Sequence, residues 1–102
     1  MTNREYAELL DYVNERSNEL DSVNIYKVHS AYDPKTNEIS KVTLKLNYTK
    51  DGTPLPEING RLTKAMQRNI VARTEQFRGE SCTKESVKDF IDTIMTTKEG
   101  QL

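Results

Sequence analysis

Cys82 and His29 are the residues whose chemistry is easiest to name, since each residue type occurs once in the 102-residue chain. A thiol and an imidazole can together form a nucleophile and its general base. His29 lies in the middle of a predicted strand, however, and Cys82 in a predicted loop before a helix. A helix N-terminus would acidify the Cys82 thiol. A thiol-based enzyme or sensor is the third of three hypotheses, and our prediction is that the chain is not an enzyme.

Metal and acid–base chemistry find little support. A structural zinc site needs four nitrogen or sulfur ligands, and only two residues of this chain can supply them, so we expect neither a metal nor a cofactor. Acid–base catalysis needs carboxylates that converge on a cleft. The acidic residues lie instead on the outer faces of predicted helices, at Glu8, Asp11, Glu15, Glu19, Glu85, Asp89 and Asp92. We predict no catalytic residue.

Basic residues form two groups that could bind phosphates. The groups are Arg61, Lys64 and Arg68, spaced i, i+3 and i+7 on one face of a predicted helix, and Lys27, Lys41 and Lys45 on the outer face of a predicted hairpin. The alternative is a solvated helix face, together with strand lysines that discourage edge pairing. RNA-binding sheets usually present exposed rings. On this hairpin the strict alternation places Tyr26, Tyr32 and Tyr48 on the apolar side.

Asn69 and Arg73 interrupt an apolar stripe on the second predicted helix. A buried charge needs a partner, so Arg73 either pairs with an acid of the first or third helix or faces a groove. A polar break in an apolar stripe is also typical of a contact surface. Asn69 and Arg73 are therefore the predicted partner-binding residues.

A β-hairpin from Asn24 to Thr49 is the clearest structural element. Apolar and polar residues alternate on both sides of a turn at residues 33–38, as in strands with one buried face. Pro34 presets the turn geometry, and Asn37 tolerates the left-handed conformation. After Asp51–Gly52, two prolines limit any third strand to a short edge pairing around Leu55.

Three helices complete the predicted fold. The first begins with the Thr2–Glu5 spacing of a capping box. The second runs from about Arg61 to Phe77, and the third starts near Thr83. The apolar stripes of these helices are Tyr6, Leu9, Leu10, Val13 and Leu20 in the first, Leu62, Ala65, Met66, Ile70 and Phe77 in the second, and Val87, Phe90, Ile91, Ile94 and Met95 in the third. The predicted class is α+β, an antiparallel hairpin packed against three helices, in the order α-β-β-(β)-α-α.

Composition limits the alternatives further. The length predicts one compact domain over residues 1–102. Fifteen basic and sixteen acidic residues nearly cancel, so any charge-based function depends on how the charges are sorted. A single cysteine and the lack of any membrane-length apolar run predict a cytoplasmic protein that does not enter a membrane.

The first hypothesis is a small non-enzymatic protein-interaction module that binds and modulates a macromolecular partner. Such size and lack of assembled chemistry are typical of adaptor or inhibitor proteins of phages and mobile elements. The alternative is a nucleic-acid-binding domain that uses the six basic residues. A lean core of 34% hydrophobic residues and uncovered hairpin edges favour a symmetric homodimer over a monomer.

Overall fold

The computed structural model describes residues 1–17, 19–56 and 62–96. Within these ranges the chain forms three α-helices and one antiparallel sheet of three strands, so the predicted α+β class is confirmed. The elements are α1 (Asn3–Arg16), β1 (Val23–Asp33), β2 (Glu38–Thr49), α2 (Lys64–Asn69), β3 (Ile70–Arg78), a 3₁₀ turn (Gly79–Ser81) and α3 (Lys84–Thr96). The strands are neighbours in the order β1-β2-β3, which makes β2 the central strand.

The hairpin turn follows the chemistry of its residues. The Asp33 carboxylate accepts a hydrogen bond of 2.9 Å from the Lys35 amide. Asn37 adopts φ 58°, the left-handed conformation predicted for it. Together they return the chain into β2, and the predicted hairpin is confirmed.

Side-chain caps begin both long helices. Thr2 Oγ1 accepts from the Glu5 amide at 3.1 Å, and the Glu5 carboxylate accepts from the Thr2 amide at 3.0 Å, which completes the predicted capping box of α1. At the start of α3, Thr83 Oγ1 accepts from the Ser86 amide at 3.1 Å. These bonds satisfy amides that have no partner within the helix.

The prediction of a helix from about Arg61 to Phe77 was wrong. α2 ends after six residues at Asn69, and the chain continues directly into the nine-residue strand β3. The helical spacing of Leu62 and Met66 does not mark a core face, since α2 contains no buried residue. The third strand is β3, whereas Leu55 makes one backbone bond to the Asp21 carbonyl at 2.8 Å.

The third strand also covers the edge from Val42 to Tyr48, which we expected to be free. All the residues of β2 from Lys41 to Thr49 pair with β3. This removes one of the two reasons for expecting a homodimer, and self-association stays a prediction.

The core lies between the helices and one face of the sheet. α1 and α3 contact each other, and Phe90 of α3 packs edge-on against Phe77 of β3 with ring centroids 5.7 Å apart. The core residues of the described chain are Leu9, Val13, Val23, Ile25, Ile39, Val42, Leu44, Leu46, Tyr48, Phe77, Cys82, Val87, Ile91, Ile94 and Met95. In the described ranges no helix has the length and apolar character needed to cross a membrane.

Candidate nucleic-acid interface

The sheet has a second face, opposite to the one that the helices cover. Along β2, Val42, Leu44 and Leu46 are fully buried beneath the helices. Because strand side chains alternate, Lys41, Thr43, Lys45 and Asn47 point to the opposite side. Their paired neighbours on β1 and β3 share that side, and we call this surface the open face.

Two pairs of like charges lie on the open face. Lys27 of β1 is directly opposite Lys45 of β2, and Lys41 of β2 is directly opposite Arg78 of β3. Cations in such cross-strand positions destabilise a sheet. None of the ion pairs in the described part of the chain includes any of these four residues.

Within residues 24–31, 41–47 and 72–78, no carboxylate shares the open face with these cations. The opposed pair Asp33 and Glu38 lies on the same side by alternation, but at the hairpin end, beyond a second bulge between Ala31 and Tyr32. The other open-face residues in these three ranges carry no acidic side chain. They are Asn24, Tyr26, His29, Ala31, Thr43, Asn47, Ala72, Thr74 and Gln76. Over residues 24–31, 41–47 and 72–78 the open face therefore carries positive charge alone. Although the net charge is near zero, these cations and the acids of α1 and α3 lie on opposite sides of the sheet.

The two cation pairs are separated by a polar row. Lys41 and Lys45 are four residues apart on β2, which at the strand rise is about 13 Å. Between them, His29 is paired with Thr43, and Thr43 with Gln76. Thr43 itself is only 6% exposed, so an extended anion across this face would meet a cation pair at each end and the exposed side chains of His29 and Gln76 in the middle.

The structure brings some of the predicted basic residues together and leaves others apart. Lys27, Lys41 and Lys45 share the open face as predicted. Lys64 and Arg68 are exposed on α2, which contains no buried residue and continues directly into β3. Arg61 lies outside the described residues. Sequence reasoning missed Arg78, because a helix ending at Phe77 leaves the next residue in a loop.

Asn69 holds a turn together. Its Nδ2 donates to the Asp51 carboxylate at 2.8 Å and to Thr53 Oγ1 at 3.3 Å. Hydrogen bonds from Thr53 and Asn69 lower the pKa of Asp51 to about 2. These contacts give Asn69 a structural role in the loop after β2.

Arg73 lies on the helix-covered side of β3. Its guanidinium binds Glu75 of the same strand at 3.1 Å and stacks 5.0 Å from the ring centroid of Phe90. The expected internal ion pair therefore exists, but with an acid of its own strand rather than of a helix. The interrupted helix stripe from which we predicted partner binding does not exist, so such a role for Asn69 and Arg73 has lost its premise and stays untested.

Cys82 and His29 lie on opposite sides of the sheet. Cys82 is buried in the core, where its Sγ donates to the Ile39 carbonyl at 3.6 Å. Burial raises the pKa of the Cys82 thiol, the reverse of the expected acidification. His29 is exposed on the open face. This arrangement brings no base to the thiol.

The carboxylates of α1 border an open groove beside α3, together with two lysines. Lys84 forms an ion pair with Glu8, and the hydrogen bond lowers the pKa of the Glu8 carboxyl. Lys88 lies 4.7 Å from the centroid of the Tyr12 ring. Cations therefore interleave with the acids here, and the shifted pKa keeps Glu8 ionised, which is unsuited to a general acid.

Within residues 1–17, 19–56 and 62–96, no three His, Cys, Asp or Glu side chains cluster in a way that could hold a metal ion. The open face is thus the most distinctive chemical surface of the described chain. No protein-family model, curated protein or solved structure matches this chain.

Proposed function

We propose that this chain is a non-enzymatic nucleic-acid-binding domain whose binding surface is the open face. The observation that carries the proposal is the pairing of Lys27 with Lys45 and of Lys41 with Arg78 on the part of the open face formed by residues 24–31, 41–47 and 72–78, which carries no carboxylate. A coherent basic face favours a polyanion, whereas interleaved charges favour a protein surface.

Phosphates would relieve the repulsion within each pair. A phosphate between two opposed cations accepts charge-assisted hydrogen bonds from both. Binding also releases the counterions condensed on the nucleic acid, so affinity falls as salt rises. If all four cations contact phosphates, log K against log salt should have a slope of about −3 to −4.

Fluorescence anisotropy with labelled DNA and RNA tests the proposal. At about 50 mM salt, where phosphate contacts are strong, the wild type should bind, and affinity should fall steeply toward about 200 mM. Lys45→Glu and the double variant Lys41→Glu/Arg78→Glu should each abolish binding. Arg4→Glu makes the same charge change as Lys45→Glu, on an exposed residue of α1, and should bind like the wild type.

An acidic protein would satisfy the same charges, and a competitor separates the two partners. Polyglutamate carries carboxylates without phosphates or bases, so it should displace the labelled strand only at much higher charge concentration than unlabelled nucleic acid. Unchanged anisotropy with DNA and RNA at low salt refutes the proposed function. Equal displacement by polyglutamate refutes the nucleic acid as the partner.

A different observation favours the protein-interaction module as a second candidate function. Leu62 and Met66 are each 38% exposed; Met66 lies in the first turn of α2 and Leu62 immediately before its N-cap, Thr63. Exposed apolar side chains on a helix without a core contact are typical of a docking surface. In this reading α2 binds a protein, and Met66→Glu abolishes capture of that protein while Lys45→Glu preserves it. Loss with Lys45→Glu and retention with Met66→Glu would contradict it.

A further inference from the structure

A β-bulge in β1 changes the direction of Tyr26. The pairing with β2 steps from Ile25–Leu46 directly to Lys27–Lys45, which leaves Tyr26 as an extra residue. Ile25 is 7% exposed and lies on the helix side, so the alternation carries Tyr26 to the other side. Lys27 also lies there, because it is opposite Lys45. Bulges often redirect a side chain in this manner.

The surroundings of the ring agree with this placement. Tyr26 is 52% exposed and is not among the side chains that pack against the core. Within the described part of the chain, it makes no hydrogen bond and no ring contact. The prediction that Tyr26 lies on the apolar side was therefore wrong, whereas Tyr48 is buried as predicted.

Tyr32 on the same strand provides a comparison. It is 54% exposed, but its hydroxyl donates to Asn3 Oδ1 of α1 at 2.5 Å, which ties it to the helix side. Of these two exposed tyrosines, Tyr26 alone has its ring beside the Lys27–Lys45 pair.

We propose that the open face binds single-stranded nucleic acid, with one base stacked on the Tyr26 ring and the adjoining phosphate held by Lys27 and Lys45. This inference rests on the proposed function and names its ligand. In a duplex both faces of an interior base are already stacked, so a ring on a sheet surface can reach only an unpaired base. A positive surface combined with an aromatic platform is the general means of single-strand binding.

The first test compares a labelled 12-nucleotide strand with the blunt duplex of the same sequence at one salt concentration. The single strand should bind more tightly. Tyr26→Ala should weaken its binding about 5- to 150-fold, the range found when base–aromatic stacking is lost. Tyr26→Phe retains the ring, and Tyr32→Ala is the control that removes the other exposed tyrosine ring of β1. The single-strand affinity of both variants should stay within about twofold of the wild type.

The salt dependence distinguishes stacking from charge. Tyr26→Ala should lower affinity equally at every salt concentration and leave the slope unchanged, whereas Lys45→Gln should make the slope shallower by about 0.7. A change in slope with Tyr26→Ala would show that the substitution disturbed the cations rather than a stack.

Fluorescence gives a direct second readout, since the chain contains no tryptophan. In Tyr26→Trp, single-stranded oligonucleotide should quench the emission of the only indole, and in Tyr32→Trp it should leave the emission unchanged. Equal quenching in the two variants overturns the inference.

The failures of the two proposals are distinguishable. Binding of duplex as tight as of single strand, with no effect of Tyr26→Ala, overturns the single-strand inference and leaves the nucleic-acid function in place. Absence of binding to either form at low salt refutes the proposed function itself.

Discussion

Lys27 and Lys45 face each other across β1 and β2 on a surface that provides neither of them with a carboxylate. A sheet gains stability from opposite charges at such positions and loses it from like charges. The pair therefore costs the unliganded fold some stability, which is consistent with a surface that serves to bind an anion.

Reversal of one charge of this pair should stabilise the protein. Lys45→Glu converts the repulsion with Lys27 into an attraction, and we expect a gain of about 0.2–1 kcal/mol in the free energy of unfolding at low salt. Urea unfolding measures it. The double variant Lys27→Glu/Lys45→Glu restores a like-charge pair and should return to near the wild-type value. Equal stability of all three proteins would show that the pair does not interact.

The acid dependence of Asp51 should be visible in solution. Hydrogen bonds from Thr53 and Asn69 lower its pKa from 3.8 to about 2. Because the folded pKa lies below the unfolded one, the stabilisation from Asp51 is present above about pH 4 and is lost as the pH falls toward 2. Removal of the principal donor in Thr53→Val should raise the pKa of Asp51.

NMR titration of the Asp51 carboxyl measures this change, and Asn69→Ala serves as the comparison because it leaves the Thr53 bonds in place. We expect the rise to be larger in Thr53→Val than in Asn69→Ala. An Asp51 pKa near 4 in the wild type would contradict the arrangement.

The Cys82 thiol should be unreactive in the folded protein. It is 5% exposed, and burial raises its pKa, so the nucleophilic thiolate is scarce at neutral pH. Alkylation by iodoacetamide should be at least about tenfold slower than that of a free cysteine and should reach the free rate in denaturant. A native rate equal to that of free cysteine would return the thiol-sensor hypothesis to consideration.

The elements that local patterns encode were predicted from the sequence. The hairpin, the α1 capping box and the apolar stripe of α3 each depend on residues within a few positions of one another. β3 was not predicted from the sequence. Its covered side includes the charged residues Arg73 and Glu75, so the segment lacks the apolar–polar alternation that indicates a strand. Its pairing with β2, between residues 21 to 37 positions apart in the chain, decides the conformation of this segment.

The candidate site also combines residues that local patterns placed correctly with residues that they did not. Alternation alone placed Lys41 and Lys45 on the outer face, but two positions depended on tertiary structure. Arg78 joins the face only through the pairing of β3, and Tyr26 reaches it only through the bulge. Strict alternation assumes that every residue of the strand has a partner. In the structure Tyr26 has none, so Ile25 and Val28 both lie on the helix side.

Self-association provides the last prediction. With β2 in the centre, the outer edges of the sheet belong to β1 and β3. The Tyr26 bulge disrupts regular pairing on β1, and charged residues, Arg73, Glu75 and Arg78, occupy β3. Both features discourage edge-to-edge association. We therefore now expect a monomer, in contrast to the homodimer that the hairpin alone favoured.

Light scattering across a dilution series measures the mass, which should stay near 11.7 kDa. A mass near twice this value would contradict the expectation. If that dimer mass persists in Met66→Glu but is lost when a proline is placed in β1, the contact lies at the bulged edge rather than at α2.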